Sequence, residues 1–205
     1  MIVTISREYG AGALDVASEL AALTGYRLVG EELPRIAATR LGAREEEVAA
    51  VEGRAPSLAE RIIAHLGTAS PETLATIAPQ DDEFEKEVVR AIESAVREVA
   101  SDGDAIIVGR IANMILRDRL DLVRVFLHAP IAFRAARVES SLGVGLDEAR
   151  KEIARIDAAR RRWAKLHYGM EWGAARYYDL TIDVSHFGIP GAARLIAKAI
   201  DEAGA

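Results

Sequence analysis

Apolar and polar positions along the chain fall into two alternating rhythms. Short apolar or β-branched runs at 2–6, 26–29, 105–108, 123–127 and 180–184 are bounded by glycine, aspartate or proline and read as strands. Between them, apolar residues recur every three or four positions, as on one face of a helix. The first such stretch runs near 13–23 and is stopped by Gly25; a late one runs from Pro190 to about Ala203. Residues 83–100 set Phe84, Val88, Ile92, Ala95 and Val99 on a single stripe. Strands spaced by helices imply parallel pairing through right-handed crossovers, with helices covering both faces of the sheet. The pattern therefore predicts an α/β fold, a three-layer sandwich around a parallel sheet of about five strands.

Two stretches interrupt the rhythm. Residues 31–102 hold no strand, only helical segments, one of which opens at Ser57 with Glu60 three residues on, a capping box. Residues 142–178 begin with the turn Leu142-Gly143-Val144-Gly145 and continue into an arginine-rich helix. Both are expected to be helical insertions over the carboxyl edge of the sheet, where open α/β folds bind ligands. The whole span 1–205 reads as one domain, with neither repeat nor interdomain linker.

Composition narrows the class. Half of the 205 residues are apolar and 28% are charged, as in an ordinary globular protein. No apolar run approaches the roughly 20 residues of a membrane span. Residues 1–5 already read as a strand, with no basic segment and no cleavage signal, so a cytoplasmic location is expected. The lack of cysteine excludes disulfides and thiolate metal sites. A net charge of −6 argues against nucleic-acid binding driven by bulk charge. Against that background, residues 150–165 carry seven cations and only two acids. Such a segment suits a compact polyanion such as a nucleotide, and equally a solvated helix face.

The chemistry concentrates in the turn after the first strand. Ser6-Arg7-Glu8-Tyr9-Gly10-Ala11-Gly12-Ala13-Leu14-Asp15 joins a strand to a helix through two glycines. Amides at a helix N-terminus point outward and the helix dipole favours negative charge, while glycine lets backbone approach phosphate closely. Tyr9, Gly10, Ala11, Gly12, Ala13, Leu14 and Asp15 are thus the candidate phosphate-binding residues. A dinucleotide fingerprint would need a third glycine where Asp15 stands, although Glu31 and Glu32 are placed to meet a ribose. A Walker A loop ending on Gly12 would need lysine at Ala13 and a hydroxyl at Leu14. Arg7 is the candidate substitute for that lysine, and Glu8 or Asp15 the candidate water-mediated partners of Mg2+.

Further cations sit at strand ends and on the basic helix. Gly109-Arg110 follows an apolar strand, and an arginine there offers a planar fork of donors to a phosphate or a base edge. Phe133-Arg134-Ala135-Ala136-Arg137 follows the fourth strand. Asp157, Arg160 and Arg161 fall at i, i+3 and i+4, so they share a helix face on which the acid can orient the guanidinium groups. Arg160 and Arg161 read either as exposed helical ion pairs or as clamps that close on a transferring phosphate, and with Arg7 and Arg134 they are the candidate catalytic side chains. His65, His128, His167 and His186 show no ligand spacing, and no metal site is expected.

Taken in order, Ile5-Ser6-Arg7-Glu8-Tyr9-Gly10-Ala11-Gly12, Ile107-Val108-Gly109-Arg110, Val125 to Pro130, Phe133-Arg134, Asp157-x-x-Arg160 and Tyr178-Asp179-Leu180-Thr181-Ile182 resemble the cytidylate kinase-like family, a branch of the nucleoside monophosphate kinases with a P-loop kinase fold. The resemblance implies that the glycine loop takes the phosphates of ATP, with Mg2+, and that Arg110 contacts the acceptor nucleotide. It implies that Arg134, Arg160 and Arg161 act from the lid side, and that 31–102 contains the acceptor-binding insertion. The implied reaction is in-line phosphoryl transfer from Mg-ATP to CMP or a related acceptor. Where authentic cytidylate kinases carry Gly-Lys-Gly-Thr, this chain has Gly12-Ala13-Leu14-Asp15, and where they carry Gly-Arg-Asp it has Gly109-Arg110-Ile111. Two readings stay open at this point: a nucleotide-dependent kinase, and a nucleotide-binding regulatory protein that has lost turnover.

Overall fold

The computed structural model describes residues 1–30, 32–51 and 82–204. The Ser57 capping box and Glu31 lie outside these residues. Among the described residues, five strands form one sheet: β1 (Ile2–Arg7), β2 (Arg27–Val29), β3 (Ala105–Val108), β4 (Leu122–His128) and β5 (Leu180–Asp183). Their order is β2-β3-β1-β4-β5 and every neighbouring pair is parallel. This is the α/β three-layer sandwich that the alternating pattern predicts.

Successive strand residues face opposite sides of the sheet, and both sides are covered. Val3, Ile5, Ile106, Val108, Val123, Val125, Leu127 and Ile182 pack on one face beneath α1 (Ala13–Thr24) and α8 (Val184–Ala203). Ile2, Ala105 and Ile107 pack on the other, beneath α2 (Glu32–Leu41), α3 (Glu45–Val51) and α4 (Asp82–Ser101). The predicted stripe of α4 points inward, with Val88, Ile92, Ala95 and Val99 buried and Phe84 packed at the margin. Each fully buried aliphatic side chain of this kind contributes about 1.5–3 kcal/mol. A third, aromatic cluster of Ile111, Phe126, Met170 and Tyr178, edged by Trp163 and Trp172, covers the β4 side of the sheet.

The end of the last strand differs from the pattern. Val184, read as the end of the last strand, opens α8 instead, because the Asp183 carboxylate accepts the Ser185 amide (2.9 Å) and caps a first turn there. The backbone then breaks at Gly188 (φ 68°), and the long part of the helix restarts beside Pro190. After β4 the chain forms α6 (Ile131–Leu142), turns through Gly143 and Gly145, and enters α7 (Leu146–Tyr168), the arginine-rich helix. The short helix α5 (Ala112–Ile115) follows β3. No helix among the described residues is long and apolar enough to cross a membrane.

This topology decides where a ligand can sit. The chain lies to one side of β1 for β2 and β3, then crosses to the other for β4 and β5. The carboxyl ends of β3, β1 and β4 therefore meet at a topological switch point, and the loops leaving them converge.

Candidate functional site

The loop from β1 to α1 is shaped by two left-handed glycines, Gly10 (φ 83°) and Gly12 (φ 81°). A side chain at Gly10 would stand 2.9 Å from the Arg134 carbonyl oxygen and 3.0 Å from Val138, so the loop lies directly on α6. At Gly12 a side chain would meet Ile189 of α8 at 2.8 Å and the Arg137 guanidinium at 3.3 Å. Gly12 also starts α1, its carbonyl accepting the Val16 amide (3.0 Å), which leaves the amides of the first turn directed out of the helix. Ala13 is buried against the sheet, whereas Leu14 and Asp15 are exposed.

Tyr9 and Ala11, expected to turn their amides to phosphate, use them within the protein instead. The Tyr9 amide donates to Asp157 Oδ1 (2.9 Å) and the Ala11 amide to the Glu8 carbonyl (3.2 Å). The amides left directed outward are those of the first turn of α1, after Gly12.

Arg134 departs furthest from its expected place. It is buried beneath the loop rather than facing outward from a lid. Its Nε donates to the Ala129 carbonyl (2.9 Å) and lies 3.2 Å from Glu8 Oε2; its Nη1 donates to the Tyr9 carbonyl (3.2 Å) and to Asp157 Oδ2 (2.7 Å). The reason is physical: a buried guanidinium needs acceptors in several directions, and this loop and Asp157 supply them. Asp157 is itself 4% exposed. Arg160 Nη1 lies 3.7 Å from Asp157 Oδ1, donates to the Arg7 carbonyl (3.0 Å), and places its guanidinium 5.7 Å from the centre of the Tyr9 ring. The structure thus joins Arg134, Asp157 and Arg160 to the loop, while Arg161, next along α7, is exposed.

Arg7, the last residue of β1, extends across Gly109, where a Cβ would fall 3.0 Å from its Cζ. Gly109 (φ 87°) leads into Arg110 (φ 57°) and Ile111 (φ 53°), three consecutive left-handed residues. A β-branched residue in that region is strained by roughly 1–2 kcal/mol, and such strain persists where surrounding structure imposes it, commonly at ligand sites. The Arg7 guanidinium thus lies at the β3 side of the switch point, where the backbone continues into Arg110.

The cation beside Gly12 is Arg137, which sequence reasoning quoted but did not select. It pairs with Asp15 on the first turn of α1 and lies 5.9 Å over the Phe133 ring. Its spacing from Arg134 was the available signal. On a helix, positions i and i+3 are only about 60° apart and share a face, so Arg137, nearly one turn further along α6, reaches the mouth of the loop that Arg134 supports from beneath.

Two carboxylates border the loop. Glu8 accepts the Ala129 amide (3.2 Å) and pairs with Arg134, and Asp15 pairs with Arg137. Among the described residues no group of three or more histidine, cysteine, aspartate or glutamate side chains gathers as a metal cage. One carboxylate with phosphate oxygens and water is the donor set that suits Mg2+, and exposed Asp15 fits it better than part-buried Glu8.

Comparisons with known proteins bear on the family and on the fold. The sequence profile of the cytidylate kinase-like family matches residues 2–186. A cytidylate kinase from Thermococcus kodakarensis is 34% identical over 120 residues, 58% of this chain and 61% of that protein. One from Methanocella arvoryzae is 26% identical over 204 residues, 98% of both chains. The chain thus spans about three fifths of the length of several curated relatives it matches, and nearly all of another. Among solved structures, an uncharacterized protein from Eubacterium ventriosum superposes with a TM-score of 0.69 at 21% identity, covering 98% of both chains. A shikimate kinase from Bacteroides thetaiotaomicron does so with 0.56 at 10% identity and the same coverage. At such identities these two likenesses establish the fold alone, an α/β sandwich shared with that shikimate kinase.

Proposed function

The chain belongs to the cytidylate kinase-like family, and on that footing we propose that it is a nucleotide-dependent phosphotransferase that moves a phosphoryl group from Mg-ATP to a nucleoside monophosphate such as CMP. The observation that carries this reading is the meeting of three features at one edge of the sheet. They are the glycine turn into α1, the strained Gly109-Arg110-Ile111 turn after β3, and the arginines between them.

The proposed division of labour follows from placement. Gly12 and the first-turn amides of Ala13, Leu14 and Asp15 receive the triphosphate, with Arg137 supplying the positive charge that a Walker A lysine supplies elsewhere. Arg7 and Arg110, at the β3 side, face the acceptor phosphate. Arg160 ties α7 to this edge through its bond to the Arg7 carbonyl. Asp15 would hold Mg2+ through water once Arg137 turns to phosphate, and the chemistry so supplied would be neutralisation of phosphate charge. In-line transfer asks mainly for positioning and charge neutralisation, and these residues supply both.

A second reading, a nucleotide-binding regulator without turnover, is favoured by one specific feature. The lysine and hydroxyl positions of a Walker A loop hold buried Ala13 and exposed Leu14. One experiment separates the two. Purified protein with Mg-ATP and a panel of nucleoside monophosphates is assayed for diphosphate, and the kinase reading predicts product with CMP or a close relative. Saturable ATP binding without product on the whole panel establishes the regulator instead.

A further inference from the structure

We infer that Asp157 is a positioning residue for the glycine loop: it sets the direction of the Tyr9 peptide and, through Arg134, makes the nucleotide affinity of the loop depend on the docking of α7. This inference rests on the reading of the loop as the triphosphate site.

The geometry is closed around the backbone of one residue, Tyr9. Asp157 Oδ1 accepts the Tyr9 amide at 2.9 Å. Asp157 Oδ2 accepts Arg134 Nη1 at 2.7 Å, and the same Nη1 reaches the Tyr9 carbonyl at 3.2 Å. Both polar groups of Tyr9 are thus held by one buried ion pair. The residue before is held too, since Glu8 Oε2 lies 3.2 Å from Arg134 Nε and accepts the Ala129 amide. The residue before that, Arg7, gives its carbonyl to Arg160. Three successive residues of the loop are therefore fixed by side chains from α6 and α7.

Charge supports a positioning role over simple adhesion. Glu8 and Asp157 face Arg134 and Arg160, two acids against two bases, so the cluster is neutral in itself. Buried ion pairs add little net stability over apolar packing, and their best-attested use is to select one arrangement among several. Here the selected feature is a loop whose usual lysine is absent and whose phosphate binding rests on the orientation of backbone amides. The Tyr9 ring packs with Ala135, Val138, Ala149 and Ile153 between α6 and α7, so movement of α7 is transmitted to the residue preceding Gly10.

The test compares affinity with stability. Asp157→Asn keeps the shape of the side chain and removes its charge. Asp179→Asn, which breaks the Arg124 pair joining β4 to the start of β5, serves as a destabilised control remote from the loop. Melting temperature, Mg-ATP dissociation constant by calorimetry and the 15N-resolved Tyr9 amide shift are measured for each. Asp157→Asn is expected to weaken Mg-ATP binding roughly ten- to a hundredfold, the range for a lost charged hydrogen bond, and to move the Tyr9 amide proton upfield. Asp179→Asn is expected to lower the melting temperature with unchanged ATP affinity. If Asp157→Asn does not fold, Arg134→Lys carries the test, because an ammonium cannot span the Ala129, Tyr9 and Asp157 acceptors together, and the same loss of affinity is expected. Unchanged affinity in the folded variant, or an equal loss in Asp179→Asn, overturns the inference alone. Absence of Mg-ATP binding by the unaltered protein overturns the reading of the loop, and the inference with it.

Discussion

At the residue scale, two arginines beside the glycine loop take different places. Arg134 and Arg137 stand three positions apart on α6, and both are cations after the fourth strand. Sequence favoured Arg134 because it sits in the more familiar pattern. The structure turns it under the loop, where carbonyls and Asp157 satisfy it, and puts Arg137 at Gly12. Burial decided between them, and burial is set by tertiary packing that a linear motif does not express. The same holds for Arg7, whose guanidinium crosses toward Gly109 and not toward α1. Arg137→Ala is therefore expected to weaken Mg-ATP binding about tenfold or more, the cost of one charge-assisted contact. Arg7→Ala is expected to act mainly on the acceptor KM. Calorimetry with Mg-ATP and steady-state kinetics check the pair, and the reverse pattern would return the lysine role to Arg7. By contrast, Gly10 and Gly12 were legible from sequence, because only a turn with positive φ and no room for a side chain needs glycine at both places.

At the element scale, β1, β3, β4 and β5 and the helices α1 and α4 follow from periodicity, since the strands are apolar on both faces and the α4 stripe is unbroken. The start of α8 was missed because Asp183-Val184-Ser185 reads as strand continuation until the Asp183 cap is seen. The docking of α7 on α4 is an element contact that no periodicity announces. His167, near the end of α7, packs against Trp163 with ring centres 4.0 Å apart and planes tilted by 47°, and lies 3.1 Å from Glu85 of α4. Burial holds its pKa below the usual histidine value, and the opposing pull of Glu85 does not restore it. The unfolded chain therefore binds the proton more readily than the folded one. The stability linked to His167 is complete above the unfolded value of about 6.5 and falls as pH drops through and below it. Melting curves of the unaltered protein and His167→Gln between pH 7.5 and 5, set as a range of roughly one unit or more on either side of that value, are expected to converge or cross as acid is added. A pH-independent difference between them contradicts this account.

At the scale of the whole molecule, a sheet of order β2-β3-β1-β4-β5 brings the loops after β1, β3 and β4 to one edge. Residues far apart in sequence, from Arg7 to Arg160, thereby become one site. The fold class was legible because strand and helix alternate, which leaves few topologies that pair parallel strands through right-handed crossovers. The Glu8–Arg134–Asp157 cluster was not, because it depends on α6 and α7 folding back over the loop after the intervening turn at Gly143 and Gly145. The central claim is that the turn between β1 and α1 is where this protein holds the phosphates of a nucleotide. The most direct measurement is a titration with Mg-ATP followed by 15N-resolved amide shifts. The account predicts saturable changes that are largest at Gly10, Gly12, Ala13, Leu14 and Asp15, with smaller ones on α7 around Asp157 and Arg160. Saturable binding that leaves those loop amides unmoved, or no binding at all, would contradict it.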